Sequence, residues 1–486
     1  MVEWALAGAS RLARALRSGE VSSRELLELF LRRIEAADPA LNAVVTLDAE
    51  RAHRLAGAAD EALARGEATG PLGGLPITIK DTIETEGIRT TAGAPWLAGH
   101  VPERDATAVS RLKAAGAIVF GKTNCPLFGG DAQSTNVVFG TTGNPWALDR
   151  SPGGSSGGSA AALAAGQTAL ELGSDIGGSV RNPAHYCGIY GHKPSFGVVP
   201  TRGHIPPPPG ALSPVDLAVV GPLGRAPEDL ELALEVLAGP DEANAAAWRL
   251  ELPPPRGQTL GDYRVAVWLE DPACPIDNAM GDVLSNAADA LAGAGAALNG
   301  RLRPDFTLTD AHRTYQRLLY GATTAGLANR VYGTLLAKAE ELEPEEDGRN
   351  ARYLRDGTAR HRDWLAANEE RAGYRARWRD FFDGCDILLC PTVPTTAIRH
   401  DHSNINRRTI TVNGETRDYW DQIVWSGMAS MAGLPATVAP VGLASDGLPV
   451  GIQIVGPYLH DRSTIDFARR LGEVVGGYEP PPALRP

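Results

Sequence analysis

Apolar and polar positions along this chain follow two periods, one typical of helices and one typical of strands. Ser22, with Glu25 three residues later, opens an apolar run at helical spacing, which predicts an amphipathic helix with a capping box. Further helices are predicted at about 48–65, 106–115 and 159–165, and short strands at 75–80, 117–120, 168–172, 386–391 and 448–456. This alternation predicts an α/β fold in which helices cover a central sheet.

Residues 240 to about 383 have a different texture, being rich in Ala, Arg and Glu and mostly helical in pattern. We interpret them as either an inserted helical subdomain or a substrate-facing cover. The core pattern returns after it, so the sheet is expected to be completed from both ends of the chain. The proline run 206–209, within 203–214, predicts a stiff surface loop, with a lid as the alternative.

Charge and cysteine content exclude several classes of function. The net charge of −12 is spread along the chain, which argues against binding to nucleic acid or to an anionic membrane. The five cysteines form no CxxC pair, which favours a reducing compartment and a cytoplasmic location. No stretch approaches the roughly 18 apolar residues of a membrane helix, so we expect no membrane span.

Glycine is the most informative residue of the composition. The chain has 55 glycines, and residues 153–197 hold eleven of them, in and around two loops. The first loop runs from Ser151 to Ser159 (SPGGSSGGS), and the second from Asp175 to Arg181 (DIGGSVR). Because glycine has no Cβ, such loops let backbone N–H groups converge on a developing negative charge.

Three common glycine-loop motifs fit the first loop poorly. A phosphate-binding P-loop needs a Gly-Lys-Ser/Thr end, and no lysine lies between Lys122 and Lys193. A Gly-x-Ser-x-Gly nucleophile elbow is matched in letters by 153–157, but it must follow an apolar strand, and 141–152 is polar and rich in turns. A dinucleotide fingerprint fails for the same reason.

Three motifs together strongly resemble the amidase signature family of Ser-Ser-Lys hydrolases. They are LPITIKD, which ends at Lys80 and Asp81, GGSSGGSA with Ser155, and DIGGSVR with Ser179. The likeness continues into GLP at 433–435 and GLPVGIQ at 447–453, and it is weakest between about 240 and 383. The resemblance implies one amidase signature domain over 1–486, with a twisted mixed sheet covered by helices on both sides. Its core would span about 60–235 and 384–475, with a substrate-facing helical region at about 240–383.

The resemblance also implies a role for each motif residue. Ser179 would be the nucleophile, Ser155 a bridging serine held after a cis peptide bond, and Lys80 the base. The chemistry is coherent, since burial lowers the pKa of a lysine and a neutral lysine can accept a proton from a serine. The remaining roles follow the same two loops: the amides of Ile176, Gly177, Gly178 and Ser179 as an oxyanion hole, and Asp175, Arg181 and Gly154 as supports.

The expected activity is hydrolysis of a small-molecule carboxylic amide through an acyl-enzyme, with esters and carbamates as further substrates. The alternatives are a glutamine-hydrolysing subunit of an amidotransferase and a catalytically silent binding protein. The amidotransferase branch carries an acidic residue where Ile423 aligns, which argues against glutamine, although Asp421 lies two residues away. Apolar and aromatic residues of 200–240 and 300–430 suggest an apolar or aryl acyl group, and a homodimer is left open.

No cofactor or metal is expected. His400 and His402 have the spacing of a metal pair, but no third ligand is evident, so a surface turn is favoured. His185 and His192 flank Cys187, for which buried packing is favoured over a Cys–His nucleophile. Asp81 follows Lys80 directly, and strand alternation is expected to point it to the opposite face.

Overall fold

The computed structural model describes residues 2–67 and 69–482. Residues 1 and 483–486, at the ends of the predicted 1–486 domain, lie outside that description, as does residue 68. The strands are β1 (Val44–Leu47), β2 (Pro76–Lys80), β3 (Ile118–Thr123), β4 (Thr135–Asn136), β5 (Gly140–Thr141), β6 (Glu171–Asp175), β7 (Tyr190–Lys193), β8 (Val219–Gly224), β9 (Arg264–Val267), β10 (Ala297–Asn299), β11 (Ile387–Pro391), β12 (Thr409–Val412), β13 (Glu415–Asp418), β14 (Ala436–Leu443) and β15 (Pro449–Val455).

The α-helices flank the sheet and connect its strands along the chain. They are α1 (Val2–Leu6), α2 (Ala9–Ser18), α3 (Ser23–Leu41), α4 (Ala49–Ala64), α5 (Thr107–Ala114), α6 (Gly157–Ala164), α7 (Arg181–Cys187), α8 (Pro227–Leu237), α9 (Glu242–Ala245), α10 (Asn278–Gly293), α11 (Leu308–Thr324), α12 (Asn329–Glu340), α13 (Arg349–Gly357), α14 (His361–Gly384), α15 (Val424–Ala432) and α16 (Asp461–Val475). Within the described residues, no helix is both long and apolar enough to cross a bilayer.

Eleven of the strands form one mixed sheet, in the order β1-β3-β2-β6-β8-β7-β14-β15-β11-β9-β10. The α/β class and the mixed sheet flanked by helices, both predicted from the sequence, are confirmed. Strands β2, β3 and β6 run parallel to one another, whereas β6, β8, β7, β14 and β15 pair in antiparallel fashion. The carboxyl ends of β2 and β6 therefore meet at one edge, where Lys80 and Asp175 end their strands.

Local sequence signals account for most of these elements. The capping box predicted at Ser22 and Glu25 is present at the start of α3, where each residue satisfies a backbone N–H of the other. The strand predicted at 168–172 was wrong in its bounds, because the chain forms β6 only from Glu171. The hydroxyl of Thr168 instead accepts a hydrogen bond from the amide of Thr78, within the turn that follows α6.

The region from 240 to 383 contributes two strands to the central sheet as well as several helices that pack outside it. Strands β9 and β10 lie within it and extend the central sheet beyond β11. Helices α11, α13 and α14 pack together, and α11 also packs against α15. Apolar side chains of α11 and α14, together with Ile423 and Met431, form a hydrophobic cluster separate from the main core, and Ile176 of the second glycine loop packs against it. This cluster places Tyr315 of α11 directly beside that loop.

Candidate active site

Lys80 lies at the carboxyl end of β2 with no solvent exposure. Its Nζ lies 2.6 Å from Ser155 Oγ and 3.0 Å from Ser174 Oγ. Burial lowers the pKa of Lys80 to about 8, although negative charge at Cys125, Asp175 or Glu171 would act to raise it. The lysine is therefore held among hydroxyl groups, with its amine close to the point of deprotonation.

The first glycine loop brings Ser155 to the lysine. The Gly154–Ser155 peptide bond is cis, and Ser155 is 2% exposed. A Cβ at residue 154 would come within 2.4 Å of the Asp131 carbonyl oxygen, so only glycine fits there. The Ser134 hydroxyl supports the loop, since it donates to the Gly153 carbonyl at 3.1 Å and accepts from the Gly157 amide at 3.0 Å.

The second glycine loop is shaped by the carboxylate of Asp175. That carboxylate accepts hydrogen bonds from the amides of Gly178 (2.9 Å) and Val180 (3.0 Å), and from the Arg181 guanidinium (2.8 Å). Burial alone would raise the pKa of Asp175, but the charge and hydrogen bonds of Arg181 outweigh it and bring the pKa to about 2. Asp175 thus remains ionised and holds the loop from within.

These contacts correct the expected oxyanion hole in one respect. The N–H of Gly178 already donates to Asp175, so it is not a free donor for a ligand. The amides of Gly177 and Ser179, in contrast, have no hydrogen-bond partner within the described part of the chain. Gly178 has a φ of +110°, and a Cβ there would lie 2.4 Å from Asn182 Oδ1, so its glycine serves the loop's shape.

Arg181 ties the loop to the distant end of the chain. Its guanidinium donates to the Ser426 carbonyl at 2.8 Å, to Gln453 Oε1 at 2.5 Å and to Ser430 Oγ at 2.7 Å. The side chain is fully buried, and all these partners lie on α15 or β15. The loop is therefore preorganised by residues some 245 to 272 positions away in sequence.

The helical region closes one side of the loop. Tyr315 Oη donates to the Ile176 carbonyl at 3.1 Å, and a Cβ at residue 177 would lie 2.6 Å from the same hydroxyl. It would also lie 3.5 Å from Ile423 Cγ2. The wall beside the Gly177 amide therefore consists of an isoleucine and a tyrosine whose hydroxyl is already bonded.

Ser179 is the one member of the predicted trio that is partly exposed. Its carbonyl accepts a hydrogen bond from the Ser156 amide at 3.0 Å, which joins the two glycine loops. In the described residues no hydrogen bond links the hydroxyls of Ser155 and Ser179. The structure thus brings Lys80 and Ser155 into direct contact and holds Ser179 next to them through the backbone.

Sequence reasoning missed three residues at this site. Ser174 lies 3.0 Å from Lys80, and His204 Nε2 lies 2.8 Å from the Ser174 hydroxyl. Gly129 has a φ of +68°, and a Cβ there would lie 3.1 Å from Ser155 Oγ. Ser174 had a usable signal, because it directly precedes Asp175 on a strand, whereas His204 and Gly129 come from loops with no periodic pattern.

The secondary candidates of the sequence are engaged elsewhere. His185 bonds the Gly451 backbone, His192 pairs with Asp461, and the Cys187 thiol donates to the Pro152 carbonyl, so no Cys–His pair forms. Asp81 accepts hydrogen bonds from Thr91 and does not bond Lys80. His400 and His402 stack with their ring centroids 5.9 Å apart, and the described residues contain no cluster of metal-ligating side chains.

Asp421, two residues before Ile423, is engaged by other partners. Its carboxylate pairs with Arg417 at 2.6 Å, and its carbonyl accepts from the Cys274 thiol at 3.7 Å. Ile423, in contrast, is buried in the apolar cluster that packs against Ile176.

Comparison with known proteins agrees with this geometry. The family model described as Amidase matches residues 25–465. The chain is 34% identical to a glutamyl-tRNA(Gln) amidotransferase subunit from Synechococcus sp. (strain CC9902), over 94% of each chain. It superposes on a bacterial aryl acylamidase of the amidase signature family with a TM-score of 0.79, at 26% identity over 96% of both chains. It superposes on the corresponding glutamyl-tRNA(Gln) amidotransferase subunit from Thermotoga maritima with a TM-score of 0.76, at 25% identity over 98% of both chains. The chain therefore belongs to the amidase signature family of amide-hydrolysing enzymes.

Proposed function

We propose that the chain hydrolyses a small-molecule carboxylic amide through an acyl-enzyme on Ser179. The observation that carries the proposal is the 2.6 Å contact between Ser155 Oγ and a fully buried lysine whose pKa is lowered to about 8. Neutral Lys80 accepts a proton from Ser155, and Ser155 accepts one from Ser179 as its Oγ attacks the carbonyl carbon. A hydroxyl needs such a base because it is a weak nucleophile while protonated.

The same groups complete the reaction. The tetrahedral oxyanion rests on backbone amides of the second glycine loop, with those of Gly177 and Ser179 free to donate. The proton on Lys80 returns through Ser155 to the leaving nitrogen as the C–N bond breaks. Water then attacks the Ser179 ester by the same relay and releases the carboxylic acid. Each oxyanion donor of this type contributes about 2.7–4 kcal/mol to transition-state stabilisation.

The wall beside the oxyanion loop favours an apolar acyl group. Ile423 and Ile176 belong to one cluster with Leu217 and Tyr315, and these side chains offer no charged group to a substrate. A free amino acid carries an ammonium group that needs a carboxylate partner when it is desolvated. This part of the site therefore fits an aryl or aliphatic amide, and related esters or carbamates, better than free glutamine.

A second candidate is hydrolysis of glutamine by the chain as one subunit of an amidotransferase. It is favoured by the sequence relatives, since subunits of glutamyl-tRNA(Gln) amidotransferases match the chain at 34–35% identity over more than 90% of its length. In that role the ammonia released from glutamine would pass to a partner subunit. Two features oppose glutamine as the substrate. Ile423 stands where an acidic residue is expected in the amidotransferase branch, and the nearby Asp421 is paired with Arg417.

The nucleophile is tested with a fluorophosphonate probe and an amide substrate. Purified Ser179→Ala should lose both labelling and turnover, because it lacks the hydroxyl that is proposed to form the acyl-enzyme. Ser445→Ala, at an exposed serine in the turn between β14 and β15, is the matched control and should behave as wild type. Normal hydrolysis by Ser179→Ala would overturn the mechanism.

The two substrate classes are separated by a panel of anilides, aliphatic amides, carbamates and glutamine. We expect turnover of aryl or aliphatic amides and none of glutamine. Ile423→Asp should lower activity on the apolar amides, because it places a carboxylate beside the Gly177 amide. Glutamine hydrolysis by the wild-type chain, alone or with amidotransferase partner subunits, would establish the second candidate instead.

A further inference from the structure

The 203–214 loop delivers a histidine to the lysine site from outside both glycine loops. The amide of Ile205 donates to the Thr82 carbonyl at 2.7 Å, and the amide of Glu84 donates to the Gly203 carbonyl at 2.8 Å. Thr82 and Glu84 closely follow Lys80 and Asp81, so the loop is anchored beside the end of β2. This anchoring holds His204, a residue of the loop, beside the carboxyl end of β6.

His204 takes part in a continuous row of hydrogen bonds that ends at Lys80. Its Nδ1 lies 3.0 Å from the Pro206 carbonyl oxygen, and its Nε2 lies 2.8 Å from Ser174 Oγ. Ser174, which is 7% exposed, lies 3.0 Å from Lys80 Nζ. The row thus runs from a backbone carbonyl through an imidazole and a hydroxyl to the amine.

The carbonyl at one end sets the direction of every bond in the row. A carbonyl oxygen only accepts, so Nδ1 of His204 must carry the proton. In the neutral ring Nε2 is then an acceptor, and the single hydrogen of Ser174 points to it. The Ser174 oxygen is left with its lone pairs facing Lys80, so it accepts an N–H from the amine.

This direction matters for a lysine that acts as a base. A neutral amine has two N–H bonds and one lone pair, and the lone pair must face the hydroxyl that gives up its proton. We propose that His204, acting through Ser174, is a positioning residue that keeps the lone pair of Lys80 directed at Ser155. Without the acceptor on His204, the Ser174 hydroxyl is free to donate to Lys80 and to occupy the lone pair.

The surroundings of His204 keep the ring in the required form. Burial lowers the pKa of His204 to about 4, and the nearby positive charge of Lys80 acts in the same direction, whereas the Pro206 carbonyl acts to raise it. The ring is therefore neutral over the pH range in which Lys80 loses its proton. The other ionisable groups that act on Lys80 are Cys125, Glu171 and Asp175, and none of them bonds the Ser174 hydroxyl.

Two substitutions of His204 separate positioning from support of the loop. In His204→Asn, the side-chain amide takes the place of Nδ1, so it can donate to the Pro206 carbonyl but is too short to reach Ser174. In His204→Gln, the longer side chain reaches the position of Nε2 and offers its amide oxygen to the Ser174 hydroxyl. We expect His204→Asn to lower kcat about 10- to 100-fold with KM within about twofold, and His204→Gln to recover most of the loss. Equal losses in the two variants, or wild-type kcat in His204→Asn, would overturn the proposal.

A double-substitution cycle with Ser174 provides the second measurement. Ser174→Ala removes the hydroxyl through which His204 acts, so adding His204→Asn to it should cause little further loss of kcat. Losses that multiply would show that His204 acts by another route. His53→Asn, at a partly exposed histidine of α4, controls for the loss of an imidazole elsewhere, and thermal unfolding of each variant checks the fold.

The inference rests on the proposed acyl-enzyme function, and the two fail differently. Activity that survives in Ser179→Ala removes the function and this inference together. Activity that is lost in Ser179→Ala but unchanged in His204→Asn leaves the function in place and removes only the role of His204.

Discussion

Two buried lysines lie on neighbouring strands of the sheet, and of these two only Lys80 contacts a serine of the glycine loops. Lys80 on β2 and Lys122 on the neighbouring β3 are both fully buried, and burial lowers the pKa of each to about 8. Lys80 Nζ contacts the hydroxyls of Ser155 and Ser174. Lys122 Nζ contacts the Ile83 carbonyl and the hydroxyls of Thr85 (3.0 Å) and Thr90 (3.2 Å).

The comparison shows that a low pKa is not sufficient to make a lysine a base. The carbonyl beside Lys122 can only accept, and the hydroxyls of Thr85 and Thr90 also bond the Ile83 and Ile88 carbonyls, respectively. The N–H groups of Lys122 therefore hold the segment after β2. Lys80 contacts Ser155 of the first glycine loop, whose hydroxyl has a proton to give. The two lysines are equally buried, so it is their hydrogen-bond partners that distinguish the structural Lys122 from Lys80, the proposed base.

The largest expected effect is the loss of the base. Lys80→Met keeps an unbranched apolar stem but removes the amine, so kcat/KM for an amide should fall about 10²- to 10⁴-fold. The measurement is steady-state hydrolysis between pH 6 and pH 10. Lys122→Met is the matched control, being the same substitution at an equally buried lysine. If both variants lost activity equally while remaining folded, the distinction between the two lysines would be broken.

The pH dependence of the rate should report Lys80. Below its pKa the amine is protonated and has no lone pair, so kcat/KM should rise about tenfold per pH unit up to about 8 and then level off. The profile is measured with a substrate that does not ionise in this range. Lys122→Met should keep this profile. A rate that is flat from pH 6 to pH 9 would contradict a neutral lysine as the base.

The smallest expected effect on turnover is that of Lys122→Met, which should instead lower stability. It removes the hydrogen bonds of the buried Lys122 amine to the Ile83 carbonyl and to the hydroxyls of Thr85 and Thr90, at a cost of about 1–3 kcal/mol in the free energy of unfolding. In the folded chain Lys122 loses its proton near pH 8, and in the unfolded chain near 10.5. The unfolded state therefore binds more protons between those values, and the stability contributed by this lysine rises with pH.

Urea unfolding of wild type and Lys122→Met at pH 7 and pH 10 measures that difference. The advantage of the wild type should be larger at pH 10, because a neutral amine costs less to bury. Folded Lys122→Met should retain kcat within a few-fold of wild type. An advantage that shrinks with rising pH would mean that Lys122 is buried as a charged group.

Local pattern predicted the elements that carry the main residues. The strand that ends at Lys80, the capping box of α3 and the motifs around Ser155 and Ser179 all follow from short stretches of sequence. The hydrophobic pattern predicted that β6 begins at residue 168, three residues before its actual start at Glu171. The error arose because the apolar Ala169-Leu170 pair lies in a turn but resembles the start of a strand. That error hid Ser174, which belongs to β6 and points at Lys80.

The rest of the site depends on residues that meet only in the folded chain. His204 reaches Ser174 from a proline-rich loop 30 positions later, and Arg181 holds its loop through partners on α15 and β15. Ile423 lies next to Gly177 in space, although about 246 positions separate the two residues in the sequence. No periodicity or spacing signals such contacts, because they are set by the order of strands and by the packing of α11 and α15.

The sequence by itself determined the fold class, the family and the lysine and serines proposed for the chemistry, because these reside in contiguous motifs and in the regular periods of strands and helices. Tertiary structure alone decided that Lys80, and not the equally buried Lys122, contacts Ser155, which amides of the second loop remain free to donate, and how the hydroxyl beside Lys80 is oriented. The physical reason is that burial, hydrogen-bond direction and charge are properties of neighbours in space. The glycines at 153, 154, 177 and 178 depend on both, since the sequence concentrates them and the fold gives each a position with no room for a side chain.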